Sequence, residues 1–192
     1  HKNHKYIIDV ANILKLEKNQ KYLFVFCGGN KGNYNYIKEL ILKNELDDYI
    51  NIFNFLSDDE VISLYKNCNA VVMPTFCGPT NLPIYESFFF KKIIFYTKNL
   101  IPDDNINDNL IEIDISSPND LYKKLDICFD NEKIEKITNK NYEYYKSVCN
   151  EEDFKINYEK ILDEFNYLLD RWKKWKIFYW VMVPPHGLEP RT

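Results

Sequence analysis

The stretch from Pro74 to Ile94, PTFCGPTNLPIYESFFFKKII, holds the residues best suited to bind a ligand. It follows an apolar segment that is predicted to be a buried strand, and it leads into a predicted helix with Glu86 in its first turn. Gly78 permits close approach of the backbone to a ligand, while Thr80 and Asn81 offer hydrogen-bonding side chains. Because backbone N–H groups at a helix start attract phosphate and other anions, the pattern favours an anion-binding loop. A plain strand-to-helix loop with a solvated Glu86 would show the same residues.

Other residues of interest also lie where predicted elements begin or end. Lys2, in the run HKNH, precedes the first predicted helix, and the residues alone favour an ordinary charged terminus there. Gly28 and Gly29 follow a buried strand and allow either close ligand approach or a simple turn. Phe55 ends the next predicted strand, and Leu56 follows it.

Strand and helix patterns alternate along the chain. The predicted strands are 22–27, 50–55, 70–73, 93–96 and 110–113, and the predicted helices are 5–16, 36–46, 58–65, one from Pro83, one from Pro118 and a long one over 133–176. Ser57 and Glu60 form a capping box ahead of the third helix. The alternation predicts an α/β fold, a Rossmann-like parallel sheet with helices on both faces. Residues 100–109 are predicted to form an exposed loop.

Composition excludes several classes of function. The 192 residues make about one domain, with 45% hydrophobic residues and a formal net charge of −4. That charge gives no support for nucleic-acid binding. The five cysteines lack C-x-x-C spacing, which argues against a zinc site or a disulfide framework and favours a reducing cytoplasm. No apolar run reaches the roughly 20 residues that a membrane-spanning helix needs.

The loop before Glu86 resembles the most recognisable motif of the family-4 (group 1) retaining glycosyltransferases. In that family a loop reading roughly E-G-F-G-L-P leads into a helix that carries a second glutamate. Leu82 and Pro83 match the Leu-Pro of the loop, so Glu86 falls on the second glutamate and Gly78 on the first. The resemblance implies that Glu86 accepts hydrogen bonds from both ribose hydroxyls of the donor nucleotide. Because Gly78 has no carboxylate, backbone N–H groups around Thr80 to Leu82 would hold the sugar or the diphosphate.

The resemblance extends from about Lys2 to Phe165. It implies that Lys2 binds the donor diphosphate and stabilises the leaving group, although the companion arginine of the family has no counterpart here. It also implies donor contacts at Gly28 and Gly29 and a nucleobase beside Phe55 and Leu56.

Enzymes of this family have the GT-B architecture, two Rossmann-like domains with the active cleft between them. The resemblance implies that this chain is the carboxyl-terminal, donor-binding half of a hexosyltransferase that transfers a sugar with retention and without a metal or other cofactor. Its partners would be a nucleotide sugar and the amino-terminal acceptor-binding domain of the parent protein. The expected setting is synthesis of bacterial surface polysaccharide or lipopolysaccharide, in the cytoplasm or at the inner face of the cytoplasmic membrane.

The expected strand order is 3-2-1-4-5-6, and its first strand would come just before His1. Without that central strand the sheet has an unfilled position with unpaired backbone groups. We therefore expect this chain alone to be poorly stable and catalytically inert.

Residues 1–170 are assigned to the donor-binding domain and residues 171–192 to an atypical tail that contains all three tryptophans. The tail is interpreted as a read-through product, as a basic-aromatic helix that associates peripherally with a membrane surface, or as an ordinary terminal helix. Two other functions stay open, a nucleotide-sugar epimerase of the same architecture and a non-catalytic glycosyltransferase fragment.

Overall fold

The computed structural model describes residues 1–19, 21–29, 32–77, 82–100, 106 and 110–182, without the side chains of residues 172–182. The chain divides into two compact units, His1–Tyr145 and Lys146–Thr192. The described strands are β1 (Phe24–Cys27), β2 (Ile50–Phe53), β3 (Ala70–Met73), β4 (Ile93–Thr97) and β5 (Ile111–Ile113). The described helices are α1 (His4–Leu16), α2 (Tyr34–Lys43), α3 (Asp58–Asn67), α4 (Leu82–Phe89), α5 (Pro118–Lys124), α6 (Asn131–Val148) and α7 (Glu151–Met182), with a 3₁₀ turn at Leu125–Phe129.

Every strand pairing in the described chain is parallel. β1 pairs with β2, while β3, β4 and β5 form a second sheet in that order. Among the described strands, β1 and β3 each have a hydrogen-bonded neighbour on one edge only. The interruption between the two described sheets lies where the strand order expected from the sequence places its first strand.

Helices cover both faces of β4, and all five residues of this strand are buried. Ile93 and Phe95 join the core that contains α1, α2 and α5, whereas Ile94 and Tyr96 point to the opposite face and pack with Ile84 and Phe88 of α4. Successive strand residues point to opposite faces, so each layer receives alternate side chains. The parallel sheets and their two helical layers confirm the predicted Rossmann-like α/β fold.

The predicted capping box starts α3. The Glu60 backbone N–H donates to Ser57 Oγ over 3.4 Å, and the Ser57 N–H donates to Glu60 Oε2 over 2.8 Å. The two bonds satisfy N–H groups that the first helical turn leaves without partners.

Several predicted element boundaries differ from the structure, and two of the differences change an assignment. β2 ends at Phe53 because its ladder with β1 ends there, at the pair Cys27–Phe53, so Phe55 and Leu56 lie in the connection to α3. The long helix predicted over residues 133–176 is two helices, α6 and α7. Asn150 caps the start of α7. Its side-chain Oδ1 accepts the Glu152 N–H over 3.0 Å, as an N-capping side chain does.

We predict that backbone amides of β4 exchange with solvent about tenfold more slowly, or slower still, than those of β1, because opening β4 disrupts both helical layers and two ladders. β1 is paired on one described edge, and Val25 is 39% exposed. Hydrogen–deuterium exchange read by mass spectrometry on peptides covering the two strands measures this difference. Equal protection of β1 and β4 would contradict it.

Candidate functional site

Thr75, which is only 1% exposed, anchors the start of the loop that follows β3. Thr75 Oγ1 lies 3.0 Å from the His1 carbonyl oxygen and also contacts the Cys77 carbonyl oxygen. The Thr97 hydroxyl at the end of β4 donates to the Thr75 carbonyl over 2.8 Å. The loop therefore starts from a fixed base at the carboxyl end of the sheet, where ligands bind in α/β folds.

The first residues of the chain lie along the same edge. The Phe76 N–H donates to the His1 carbonyl over 2.9 Å, and the His4 ring packs edge-on against the Phe26 ring of β1, with centroids 5.0 Å apart. Residues 1–4 thus run from the end of β3 to the end of β1. Lys2, in the middle of this run, is exposed and has no salt bridge within the described residues.

His4 contributes little positive charge beside Lys2. Burial lowers the pKa of His4 below its ordinary 6.5, and the charge of Lys2 lowers the His4 pKa further. A neutral His4 imidazole at neutral pH leaves the positive charge beside it to Lys2.

Glu86 is held in one orientation by Tyr65. The Tyr65 hydroxyl donates to Glu86 Oε2 over 2.6 Å, and the Tyr65 ring stacks on Phe90 with centroids 5.2 Å apart. Glu86 is exposed, and within the described residues no donor contacts its other oxygen, Oε1. The expected position of Glu86 in the first helical turn is wrong, because α4 already begins at Leu82 and its first turn contains no acidic residue.

Burial and the neighbouring carboxylate keep Tyr65 protonated. Burial raises the Tyr65 pKa well above its usual range, and the hydrogen bond to Glu86 and the Glu86 charge raise it further. The phenol therefore remains a hydrogen-bond donor to Glu86 at neutral pH.

The remaining predicted residues lie on open surface or outside the described residues. A side chain added at Gly28 or Gly29 would meet no atom within 4 Å, so both glycines border free space after β1. Phe55 is 83% exposed and Leu56 is half-buried, so the Phe55 ring offers a face for stacking a planar group. Leu82 is 56% exposed. The predicted contacts at Gly78, Thr80 and Asn81 lie outside the described residues.

The structure also contains a cavity that the sequence did not predict. Its volume is about 460 Å³, and it lies at the carboxyl ends of β4 and β5. The cavity lining is Phe76, Thr97, Lys98, Asn99, Leu100, Ile113, Asp114 and Ile115. Glu86 is not part of that lining, but Phe76 and Thr97 connect the cavity to the anchored loop after β3.

The described residues include no group of three or more His, Cys, Asp or Glu side chains placed to hold a metal ion. A membrane-crossing helix is likewise not found in the part of the chain that the structure describes.

We predict that replacing Glu86 with Gln lowers the pKa of Tyr65, because the negative charge that favours the protonated phenol is removed. The pKa should stay above 10, since burial, the largest cause of the shift, is unchanged. Titration followed by NMR of ¹³C-labelled tyrosine, with Tyr65→Phe to assign the signal, measures the change. An unaltered pKa would show that the two side chains do not interact in solution.

Residues 1–145 match the family described as Glycosyl transferases group 1. The chain has no match among curated proteins. It is similar in fold to the carboxyl-terminal domain of the glycosyl transferase group 1 family protein LpcC from Francisella tularensis, with 23% identity over 77% of this chain and 80% of that chain and a TM-score of 0.62.

Two longer proteins share the fold. WaaG, a glycosyltransferase involved in lipopolysaccharide biosynthesis, aligns with 14% identity over 77% of this chain and 40% of its own, at a TM-score of 0.60. TarM aligns with 20% identity over 86% of this chain and 32% of its own, at a TM-score of 0.71. The chain thus spans less than half of either protein. With its Rossmann-like parallel sheets and the family match over residues 1–145, the chain belongs to the group 1 glycosyl transferases and has the fold of a GT-B glycosyltransferase domain.

Proposed function

We propose that this chain is the donor-binding half of a retaining, family-4-like glycosyltransferase that takes its sugar from a nucleotide sugar. The observation that carries the proposal is the Glu86 carboxylate, which Tyr65 holds through Oε2 while Oε1 has no donor among the described residues. It lies on α4, the helix that begins with the Leu-Pro pair of the family motif, beside the carboxyl end of a parallel sheet.

Glu86 would accept hydrogen bonds from the two ribose hydroxyls of the donor. Vicinal hydroxyls need two acceptor sites, and a carboxylate provides about four. The hydrogen bond from Tyr65 uses one of these sites and restricts rotation of the side chain. A group that is already oriented loses less entropy when the ligand binds.

Lys2 would bind the diphosphate. The hydrogen bonds from the Thr75 hydroxyl and the Phe76 N–H to the His1 carbonyl keep Lys2 next to the loop after β3. An ammonium at that position offsets the charge that develops on the departing nucleoside diphosphate. The loop positions Gly78, Thr80 and Asn81 would supply backbone and side-chain donors to the same group, and Gly28 and Gly29 leave room for the donor at the end of β1.

Phe55 would contact the nucleobase, together with Leu56. Its ring is largely exposed in the connection that follows β2, and a stacked base would cover it.

The family resemblance supports the rest of the proposal. Transfer would proceed with retention, would move a hexose and would need no metal or other cofactor. The acceptor would bind to the amino-terminal domain of a longer parent protein, so this chain alone would be inactive. Synthesis of bacterial surface polysaccharide or lipopolysaccharide, in the cytoplasm or at the inner face of the cytoplasmic membrane, is the proposed setting.

Glu86→Gln should weaken binding of the preferred sugar nucleotide by about tenfold or more, because a hydrogen bond to a charged group contributes roughly 1.5–3 kcal/mol. Calorimetric titration with UDP-, GDP- and ADP-linked sugars identifies the ligand and measures the loss. Glu39 is an exposed residue of α2, so Glu39→Gln is the matched control. Loss of affinity should also appear with the free nucleoside and should vanish with its 2′,3′-dideoxy analogue. If Glu86→Gln binds as tightly as the wild type, the ribose assignment is wrong.

Lys2→Gln should weaken binding of the sugar nucleotide by roughly fivefold, about 1 kcal/mol, and leave binding of the nucleoside unchanged, because only the diphosphate meets the ammonium. The loss should shrink as salt is added. Lys38→Gln on α2 controls for the change in net charge. An equal loss for nucleoside and sugar nucleotide would argue against a diphosphate contact.

A further inference from the structure

The cavity at the carboxyl ends of β4 and β5 is bounded by two connections that hydrogen bonds hold in place. The Lys98 N–H donates to the Ile113 carbonyl over 2.9 Å, one residue beyond the ladder between β4 and β5. The Asp114 N–H donates to Asp120 Oδ2 over 2.9 Å, and Asp114 Oδ1 accepts the N–H and the hydroxyl of Ser116 over 2.9 and 2.6 Å. The backbone around the cavity is therefore already ordered before a ligand binds.

Part of the cavity lining is apolar. It has one buried member, two half-buried members and one exposed ring, which are Ile113, Leu100, Ile115 and Phe76. Phe76 is 60% exposed, while its backbone N–H is bound to the His1 carbonyl, so its main chain is fixed and its ring is available to a ligand. The volume of about 460 Å³ lies in the range of roughly 300–1,000 Å³ that is typical of small-molecule sites.

The polar part of the lining has hydrogen-bonding capacity to spare. Lys98 and Asn99 are exposed, and neither side chain has an ion pair or a hydrogen bond within the described residues. Asp114 uses Oδ1 for Ser116, which leaves Oδ2 for another donor. The cavity thus combines an ammonium donor, a carboxylate acceptor and an amide that does both.

The charges of the lining favour a neutral ligand. Hydrogen bonds from Ser116 hold the pKa of Asp114 below its ordinary 3.8, and the charge of Lys98 lowers the Asp114 pKa further. Ionised Asp114 repels an anion such as phosphate, and Lys98 repels a cation. A wholly apolar ligand would remove water from these polar groups without replacing their hydrogen bonds. A neutral ring with hydroxyl groups around an apolar face suits both parts of the lining.

We propose that this cavity binds a neutral hexose unit of the acceptor glycan. The C–H groups on one face of the sugar ring pack on Phe76, and the hydroxyl groups reach Lys98, Asn99 and Asp114. Sugars are the substrate class of the glycosyl transferase family to which residues 1–145 belong.

The position of the cavity separates this hexose from the donor. Lys2 lies in the run that links the end of β3 to the end of β1, whereas the cavity lies beyond β3 on the other side, at β4 and β5. Glu86 is not among the described lining residues. The assignment to the acceptor rests on the proposed function, in which Glu86 and Lys2 bind the donor. A hexose in the cavity would lie beside the donor without being part of it.

Saturation-transfer difference NMR of the full chain tests the proposal with the methyl glycosides of glucose, galactose, mannose and N-acetylglucosamine. At least one glycoside should bind, and it should stay bound when UDP-, GDP- or ADP-linked sugars are added. Phe76→Ala should raise its dissociation constant by about fivefold or more, because the aromatic face is lost. Asn99→Asp should also raise it, by about threefold or more, since an amide donor is replaced by a second negative charge. Aspartate has the shape of asparagine and tolerates its left-handed φ of 65°.

Phe129→Ala is the matched control, because it removes a ring that is 52% exposed and outside the cavity lining. It should leave the dissociation constant within about twofold, and inorganic phosphate should not displace the glycoside. Absence of binding by all four glycosides, equal affinity in Phe76→Ala, or displacement by phosphate would overturn the saccharide site. Displacement by a sugar nucleotide but not by its nucleoside would show that the cavity holds the donor's own hexose. Glycoside binding by a chain that binds no sugar nucleotide would refute the proposed donor function and support the saccharide site, because the two measurements are independent.

Discussion

Strand β4 is the element on which the rest of the His1–Tyr145 unit depends. It alternates Ile93 and Phe95 into one helical layer with Ile94 and Tyr96 into the other, and it pairs with β3 and β5 at its two edges. Its last residue, Thr97, bonds the backbone of Thr75 and so sets where the loop after β3 begins. Burial of β4 thereby fixes where the loop after β3 begins.

Hydrogen bonds convert this framework into a candidate site. The His1 carbonyl accepts from both Thr75 and Phe76, which brings the amino-terminal run and the loop after β3 together. Tyr65 and Glu86 join α3 to α4 in the same way. Each link joins a polar group to a partner far away in the chain, so the edge of the sheet is already organised before a ligand binds. That arrangement suits the proposed binding of a flexible nucleotide sugar in one orientation.

The two compact units bury their apolar residues differently. The His1–Tyr145 unit has a layered core of its own, whereas the apolar stripe of α7 is exposed along the helix. A helix of this length gains most of its stability from packing and not from intrinsic propensity.

Patterns in the local sequence were sufficient to predict the order of strands and helices and to indicate the family. The apolar run of β3, the capping box at Ser57 and the alternation of strands with helices could all be predicted, because each depends on neighbours in the sequence. Tertiary contacts decided the rest. The bond between Tyr65 and Glu86, the cavity at the end of β4 and the proximity of Lys2 to Thr75 join residues that are distant along the chain. Periodicity reports which face of an element is buried, but it does not report which distant side chain meets that element across the fold.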